Sequence, residues 1–366
     1  KFACAITVAG DQMTIDLRGT GPEILNRAMN SPLCSVKSMM MQAILAFWWP
    51  DLPRCTSAMS PITIISDEGT WADASYDAPM GQSLQASFRG FSALQAPWAK
   101  LQFSNPEKFS NVLAPWFNQI NTFLWGGVNQ HGDQLGNLCA DLNGMPGGAK
   151  AFRDGEDAIS PLFCAMADTA EQEVMEEEVP FMQLVAKRLV RDNMGFGKHT
   201  GGMGYEMIVA SEGTPLWGFM TVTSGAKFSS IYGQFGGYGS GTYPLAMVKG
   251  INAYEEFRTK PGSFDLSMER IMNEQPFEGG QYKTAHMGLQ FDVAKDGELY
   301  MISQGAGGGY GDPLDREPQA VAKDLELGRI SQKVARDIFA VEWSAETRRL
   351  DVTATEQLRS EARAAR

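Results

Sequence analysis

The sequence predicts a mixed α+β fold: a β-rich core with long glycine-rich loops and several packed helices. Three observations carry this. Leu33, Val36, Met40, Ile44, Phe47 and Trp48 recur at helical spacing, which predicts a helix over 33–48. Short β-branched or alternating runs bounded by turn residues recur, as at Phe2 to Val8, Gln12 to Leu17 and Pro61 to Ile65. Finally, Gly305 to Gly311 holds five glycines in seven residues, a density that weakens any regular helix or strand.

Taken in order, Gly10-Asp11 turns the first run into the second, a hairpin pattern. Trp49-Pro50 closes the first helix, and Asp67-Glu-Gly69 turns the chain after the strand at 61–65. Residues 82–96 read as a helix with Gly90 as a soft spot, and 107–121 as another, kinked near Pro115. Residues 123–160 read as a long irregular stretch, a kind of segment that often carries function. Glu171 to Val179 is an acidic run, read as a solvated face, and Phe181 to Val190 is apolar. From 205 to 304 the pattern is β-rich, with strands expected near 205–211, 217–224 and 286–293. Residues 317–340 read as one or two helices with Ser331 as an N-cap. Beyond Ser344 the chain reads as a solvated helix or frayed tail. The organisation expected is an N-terminal α/β portion (1–122), an irregular glycine-rich and acidic segment (123–204), a β-rich domain (205–314) and a helical segment (315–366).

The chain has 366 residues, 43% of them hydrophobic, enough to bury a substantial core. A formal charge of -12 argues against nonspecific nucleic-acid binding, which needs clustered Lys and Arg. Cys4, Cys34, Cys55, Cys139 and Cys164 are odd in number and form no C-x-x-C pair, so reduced thiols in the cytoplasm are the simplest reading. No signal peptide or bilayer-length apolar run is evident, and no membrane partner is expected. The chain opens on Lys1 and runs at once into a strand pattern.

A second glycine cluster spans Gly195 to Gly204. Neither cluster fits a phosphate-binding signature. A P-loop needs Ser or Thr after its Lys, but His199 follows Lys198, and Asp192 stands where the first motif glycine belongs. Gly307 to Asp312 begins a dinucleotide fingerprint and then departs from it. Each cluster is either a close backbone approach or an anion cradle.

Three histidines are the natural candidates for proton transfer: His131, His199 and His286. His131 lies two residues from Asp133, and the pair suits acid/base work if both face a pocket; the plainer alternative is a surface loop. His199 beside Lys198 suits an anionic intermediate; the alternative is a structural turn. His286 reads as a sheet residue. Their spacing forms no metal motif. Trp116, Trp125 and Tyr205 read as core, with a hydrophobic substrate channel as the alternative.

Several segments together resemble the hydantoinase B/5-oxoprolinase family: Gly308 to Leu314, Glu317 to Asp324, Gly328 to Ala335, Asp16-Leu-Arg-Gly-Thr20, Asn30-Ser-Pro32, and Gly195 to Gly204, where Thr200 replaces an Arg usual in the family. Pro215 to Met220, Tyr232 to Gly239 and Thr242 to Leu245 resemble its ketone carboxylase branch, the large subunits of acetone and acetophenone carboxylases. The resemblance implies an ATP-dependent carboxylase subunit that joins an activated ketone enolate to CO2 from bicarbonate. It implies a hydantoinase A-type partner that consumes ATP, a small subunit, and a preceding N-terminal part of the same subunit. It also implies a divalent metal, manganese, whose ligands are expected outside this chain. His131, Asp133, Lys198 and His199 are the catalytic candidates, and Asn129, Asp16 and Asn30 the substrate-binding ones. The alternatives are a cyclic-amide hydrolase subunit and a non-catalytic scaffold portion.

Overall fold

A computed structural model describes residues 1–116, 123–139, 145–158, 182–221, 229–285 and 291–366. The fold is mixed α+β, as the sequence predicts, and is built in packed layers.

The N-terminal layer pairs β1 (Ala5–Ala9) with β2 (Gln12–Asp16) as an antiparallel hairpin, and β3 (Ile62–Ile65) runs parallel to β2. Gly10 takes φ +63° at the turn, a conformation that favours glycine. Helices α1 (Leu33–Phe47) and α2 (Ser83–Phe103) cover this sheet. Ile15, Val36, Met40, Ile44, Phe88 and Phe91 form its dry core, and Trp48 stacks on Trp98 at 4.2 Å between ring centroids. α2 runs through Gly90 and past 96 to Phe103 even though it contains Pro97. At Gly90 a side chain would crowd Val36 of α1 and Phe2 ahead of β1, so the glycine lets α2 pack closely on both. Tertiary packing outweighs the local penalty there.

The central body is two antiparallel sheets face to face. One has the order β10-β9-β12-β7-β6, formed by β6 (Met182–Leu189), β7 (Tyr205–Ser211), β9 (Leu245–Lys249), β10 (Gln281–Ala285) and β12 (Leu299–Ser303). The other has the order β11-β8-β4-β5, formed by β4 (Phe123–Val128), β5 (Gln134–Cys139), β8 (Leu216–Thr221) and β11 (Asp292–Ala294). Trp125, Trp217 and Phe219 from one sheet meet Tyr205, Met207 and Tyr300 from the other. β7 is buried along its whole length. Its alternate residues Ile208 and Ala210 face a second core under α3 (Ala253–Thr259) and α4 (Met268–Glu274). Lys249 fastens the sheets together: its Nζ lies 2.6 Å from Asp292 Oδ2, 3.3 Å from Glu298 Oε2 and 3.1 Å from the Tyr300 hydroxyl.

A C-terminal cap contains α5 (Pro318–Glu326), α6 (Gln332–Asp337), the hairpin β13 (Glu342–Ser344) and β14 (Arg349–Asp351), and α7 (Val352–Ala364). Ser331 caps α6 by accepting from Val334 N, a contact worth about 1 kcal/mol. α7 does not fray away. Arg359 and Arg363 donate back to the carbonyls of Phe339, Arg316 and Leu314.

Three expectations change. The helix over 107–121 is absent from its described part, which forms a short 3-10 turn at Phe109–Asn111 and then extended chain. Ala114 N and Ala151 N pair with Ala149 O and Val112 O, and Pro115 disfavours helix at the residue before it. Where 123–160 reads as irregular, residues 123–139 form the β4–β5 hairpin. Gly126 opposes both Gly136 and Gly218, so glycines interrupt the alternation that marks a strand. α3 and α4 sit inside the 205–304 stretch that reads as β-rich, between the strands expected there. Their caps are conventional, with Asn252 and Ser267 accepting from Glu255 N and Arg270 N. The acidic run 171–179, His286 and Cys164 lie outside the described residues.

Candidate functional site

The two glycine clusters meet. Gly195 N donates to Gly307 O at 2.9 Å, Gly307 N to Gly202 O at 3.1 Å and Gly202 N to Gly147 O at 2.8 Å. Gly309 N donates to Tyr238 O, and Tyr310 bridges both His199 and Gln234. Four backbone segments cross here without side chains between them. A Cβ on Gly307 would overlap the Gly147 carbonyl, and one on Gly201 would overlap Gly307. The N–H groups of Gly195, Gly201, Gly202, Gly204, Gly307, Gly308, Gly309 and Gly311 each donate to a backbone carbonyl.

Charged side chains hold the knot from one side. Arg316, only 4% exposed, forks onto Asp154 with Nη1–Oδ1 at 2.7 Å and Nη2–Oδ2 at 2.8 Å. Its Nη2 also reaches Asp324 Oδ2 at 2.8 Å, and Nη1 donates to Lys198 O at 3.3 Å. Arg329 forks onto Asp157 at 2.7 and 3.0 Å. The two aspartates accept from the glycine loop, Asp154 from Thr200 N and Asp157 from Met203 N, each at 2.8 Å. Burial opposes ionisation of Asp154, yet the Arg316 fork, His199 and the Thr200 N–H together hold it well below the usual carboxylate range. Burial pushes Asp324 upward, and Arg316 only partly offsets it.

Lys198 and His199 sit on this knot. Lys198 is exposed, while His199 is half-buried with Nδ1 3.8 Å from Asp154 Oδ1, beyond hydrogen-bond range. The carboxylate of Asp154 thus faces the imidazole ring edge without a direct hydrogen bond.

The other candidates lie elsewhere. His131 and Asp133 are exposed at the β4–β5 turn. Asn129 organises that turn, with Oδ1 accepting from His131 N at 2.9 Å and Asp133 N at 2.8 Å. The segment that meets the 195–204 loop is 147–157, just beyond the hairpin. Asp16 and Asn30 belong to the N-terminal layer. Arg18 grips Asp16 through three side-chain bonds and its own N–H, which brings the carboxyl down to about 2. Asn30 is fully buried, accepting from Ile24 N and donating to Ile24 O and Pro79 O. Trp116, Trp125 and Tyr205 are core residues.

Sequence reasoning missed Asp154, Asp157, Arg316 and Arg329. The forks join residues more than 150 positions apart, so no local spacing betrays them.

Among the described residues no three His, Cys, Asp or Glu side chains converge to hold a metal ion. The Asp154–His199 pair does not fit one, because Arg316 already forks the carboxylate. Among the described residues no helix is long and apolar enough to cross a membrane.

The family model for hydantoinase B/oxoprolinase matches residues 1–313. The acetophenone carboxylase delta subunit of Aromatoleum aromaticum is 27% identical over 362 residues, 98% of this chain and 52% of that subunit. A nucleotide-free acetone carboxylase structure, described in connection with ATP-dependent acetone carboxylation, superposes with TM-score 0.86 at 21% identity, covering 99% of this chain and 48% of that one. The ATP-dependent caprolactamase of Pseudomonas jessenii superposes with TM-score 0.77 at 18% identity, covering 98% and 56%. The chain therefore spans about half the length of the proteins it matches.

Proposed function

Since this chain belongs to the hydantoinase B/oxoprolinase family, we propose that it forms part of the large subunit of an ATP-dependent ketone carboxylase. The observation that carries the reading is the acetophenone carboxylase match along 98% of the chain. On this reading a separate hydantoinase A-type chain spends ATP on the ketone and bicarbonate, a small subunit completes the assembly, and the complex works in the cytoplasm. The enolate carbon bonds to the carbon of CO2, one C=O electron pair moves onto oxygen, and a 3-oxo carboxylate results. Manganese, where the assembly carries it, is held by side chains outside the described residues of this chain.

This chain's contribution is electrostatic. Lys198 offers an ammonium to the anionic intermediate. His199, whose Nδ1 side faces Asp154 at 3.8 Å, leaves Nε2 to exchange a proton. His131, Asp133 and Asn129 sit on a hairpin tip and Asp16 and Asn30 in the N-terminal layer, so each needs an apposed segment to reach substrate. The test uses the complete complex. ATP hydrolysis that depends on acetone or acetophenone and bicarbonate, with a 3-oxo acid as product, supports the reading. Lys198→Ala is expected to lower carboxylation while ATP hydrolysis persists. Unchanged coupling in Lys198→Ala removes Lys198 from the chemistry, and absence of ketone-dependent ATP hydrolysis refutes the carboxylase reading. The likeness to the caprolactamase favours a second reading, cyclic-amide hydrolysis, whose product is a ring-opened amino acid.

A further inference from the structure

A cavity of about 430 Å³ lies between α4 and one end of the five-stranded sheet. Its place follows from the sheet's side-chain pattern. Ile208, Ala246 and Met301 pack under the helices. Toward the strand ends this apolar face gives way to a polar cross-strand row, Arg188 on β6, Glu206 on β7 and Ser303 on β12. Met268 and Met272 of α4, with Pro244 and Ala246, form the apolar wall.

Glu206 is only 4% exposed. Its Oε1 takes two donors, Arg188 Nε at 2.7 Å and Met268 N at 3.2 Å. Its Oε2 accepts no hydrogen bond among the described residues, and Glu206 lines the cavity, so an acceptor is left for a ligand there. Burial pushes the Glu206 carboxyl up and Arg188 pulls it back. Thr242, Thr284 and Asn273 line the same cavity and add groups able to donate and accept.

We propose that this cavity binds a small neutral amide, its N–H donating to Glu206 Oε2, its carbonyl accepting from a threonine hydroxyl and its alkyl body resting on Met268, Met272 and Ala246. Charge argues for neutrality. Arg188 already neutralises Glu206, so a cation gains little and meets Arg191 at the rim. An anion meets Glu206, Asp192 and Glu269. The size is that of a small-molecule pocket. The inference stands apart from the carboxylase reading, since it uses none of the residues assigned there.

The experiment compares N-methylisobutyramide with methyl isobutyrate, which replaces N–H by O in nearly the same shape, by saturation-transfer NMR titration of the full chain. The amide is expected to bind about tenfold more tightly or better, the ratio a hydrogen bond to a charged acceptor supplies. Thr284→Trp, on an exposed position of edge strand β10, is expected to block the mouth and abolish saturable binding. Glu206→Gln, which offers a donor in place of Oε2, is expected to erase the preference for the amide. Equal binding of amide and ester, amide binding that survives Thr284→Trp, or no saturable amide binding overturns the proposal. If Glu206→Gln does not fold, the amide-to-ester ratio and Thr284→Trp decide alone.

Discussion

Replacing Arg316 with Met tests the claim that buried charge, as well as glycine, holds the backbone knot. Met keeps much of the side chain's apolar volume and removes its charge. The substitution strips both forked bonds from Asp154 and one from Asp324 while leaving those carboxylates in place. Breaking a buried pair by removing one partner costs about 3–5 kcal/mol. The Asp154 side chain is 38% exposed, so its share is screened, and about 3 kcal/mol at pH 7 is the better expectation. The pH dependence carries the sharper test. Asp154 has a lowered folded pKa, so its contribution is present above the unfolded value of about 3.9 and is lost as pH falls through the folded value. Asp324 is raised, so its ionisation already works against folding at neutral pH, and protonation relieves that. Without Arg316 both carboxylates titrate upward in the folded state. The variant should therefore recover part of its deficit between pH 7 and pH 5, and Asp324→Asn in the same chain should recover part of it at pH 7. Urea unfolding followed by tryptophan fluorescence at the two pH values measures both effects. A loss below about 1 kcal/mol that does not vary with pH would refute the reasoning.

Two further outcomes follow from packing. Gly307→Ala places a methyl group against the Gly147 carbonyl inside the knot and is expected to leave little folded protein, whereas Gly81→Ala, beside a single methyl of Ala28, is expected to fold normally; soluble yield and circular dichroism compare them. Lys249→Met leaves Asp292 and the buried Glu298 without their shared cation and is expected to cost about 3 kcal/mol in urea unfolding. Because Lys249 Nζ helps hold Asp292 ionised, that deficit should shrink as pH falls, and a deficit independent of pH would count against the bridge.

How far the sequence discloses this molecule depends on the range of the interaction that decides each element. The hairpin at Gly10, helix α1 and the Ser331 cap are set by neighbours within a few residues, and periodicity or turn chemistry reveals them. The β4–β5 hairpin is set by strands distant in sequence. Gly126, Gly136 and Gly218 line up across three strands, and glycine carries no alternation for a reader to see. The stretch near Pro115 reads as helix because its apolar spacing suits one. Pairing of Ala114 with Ala149 and of Val112 with Ala151 makes it extended, and those pairings belong to the tertiary structure.

The candidate site divides the same way. Lys198 and His199 stand out because they interrupt a glycine cluster, and glycine density marks where the backbones cross. What the cluster does is decided by the segments that reach it. Most of its glycine N–H groups donate to backbone carbonyls, Asp154 and Asp157 arrive from the 147–157 segment, Arg316 from just before α5 and Arg329 from between α5 and α6. The anion-cradle reading of the glycines requires free N–H groups, and the crossing segments take up most of them. On the proposed reading, charge recognition at this site falls to side chains at its surface: Lys198, exposed, and His199, half-buried beside an aspartate that Arg316 helps keep ionised. A substitution in the glycines tests folding, and one at Lys198 tests chemistry. The two experiments separate roles that the sequence places side by side.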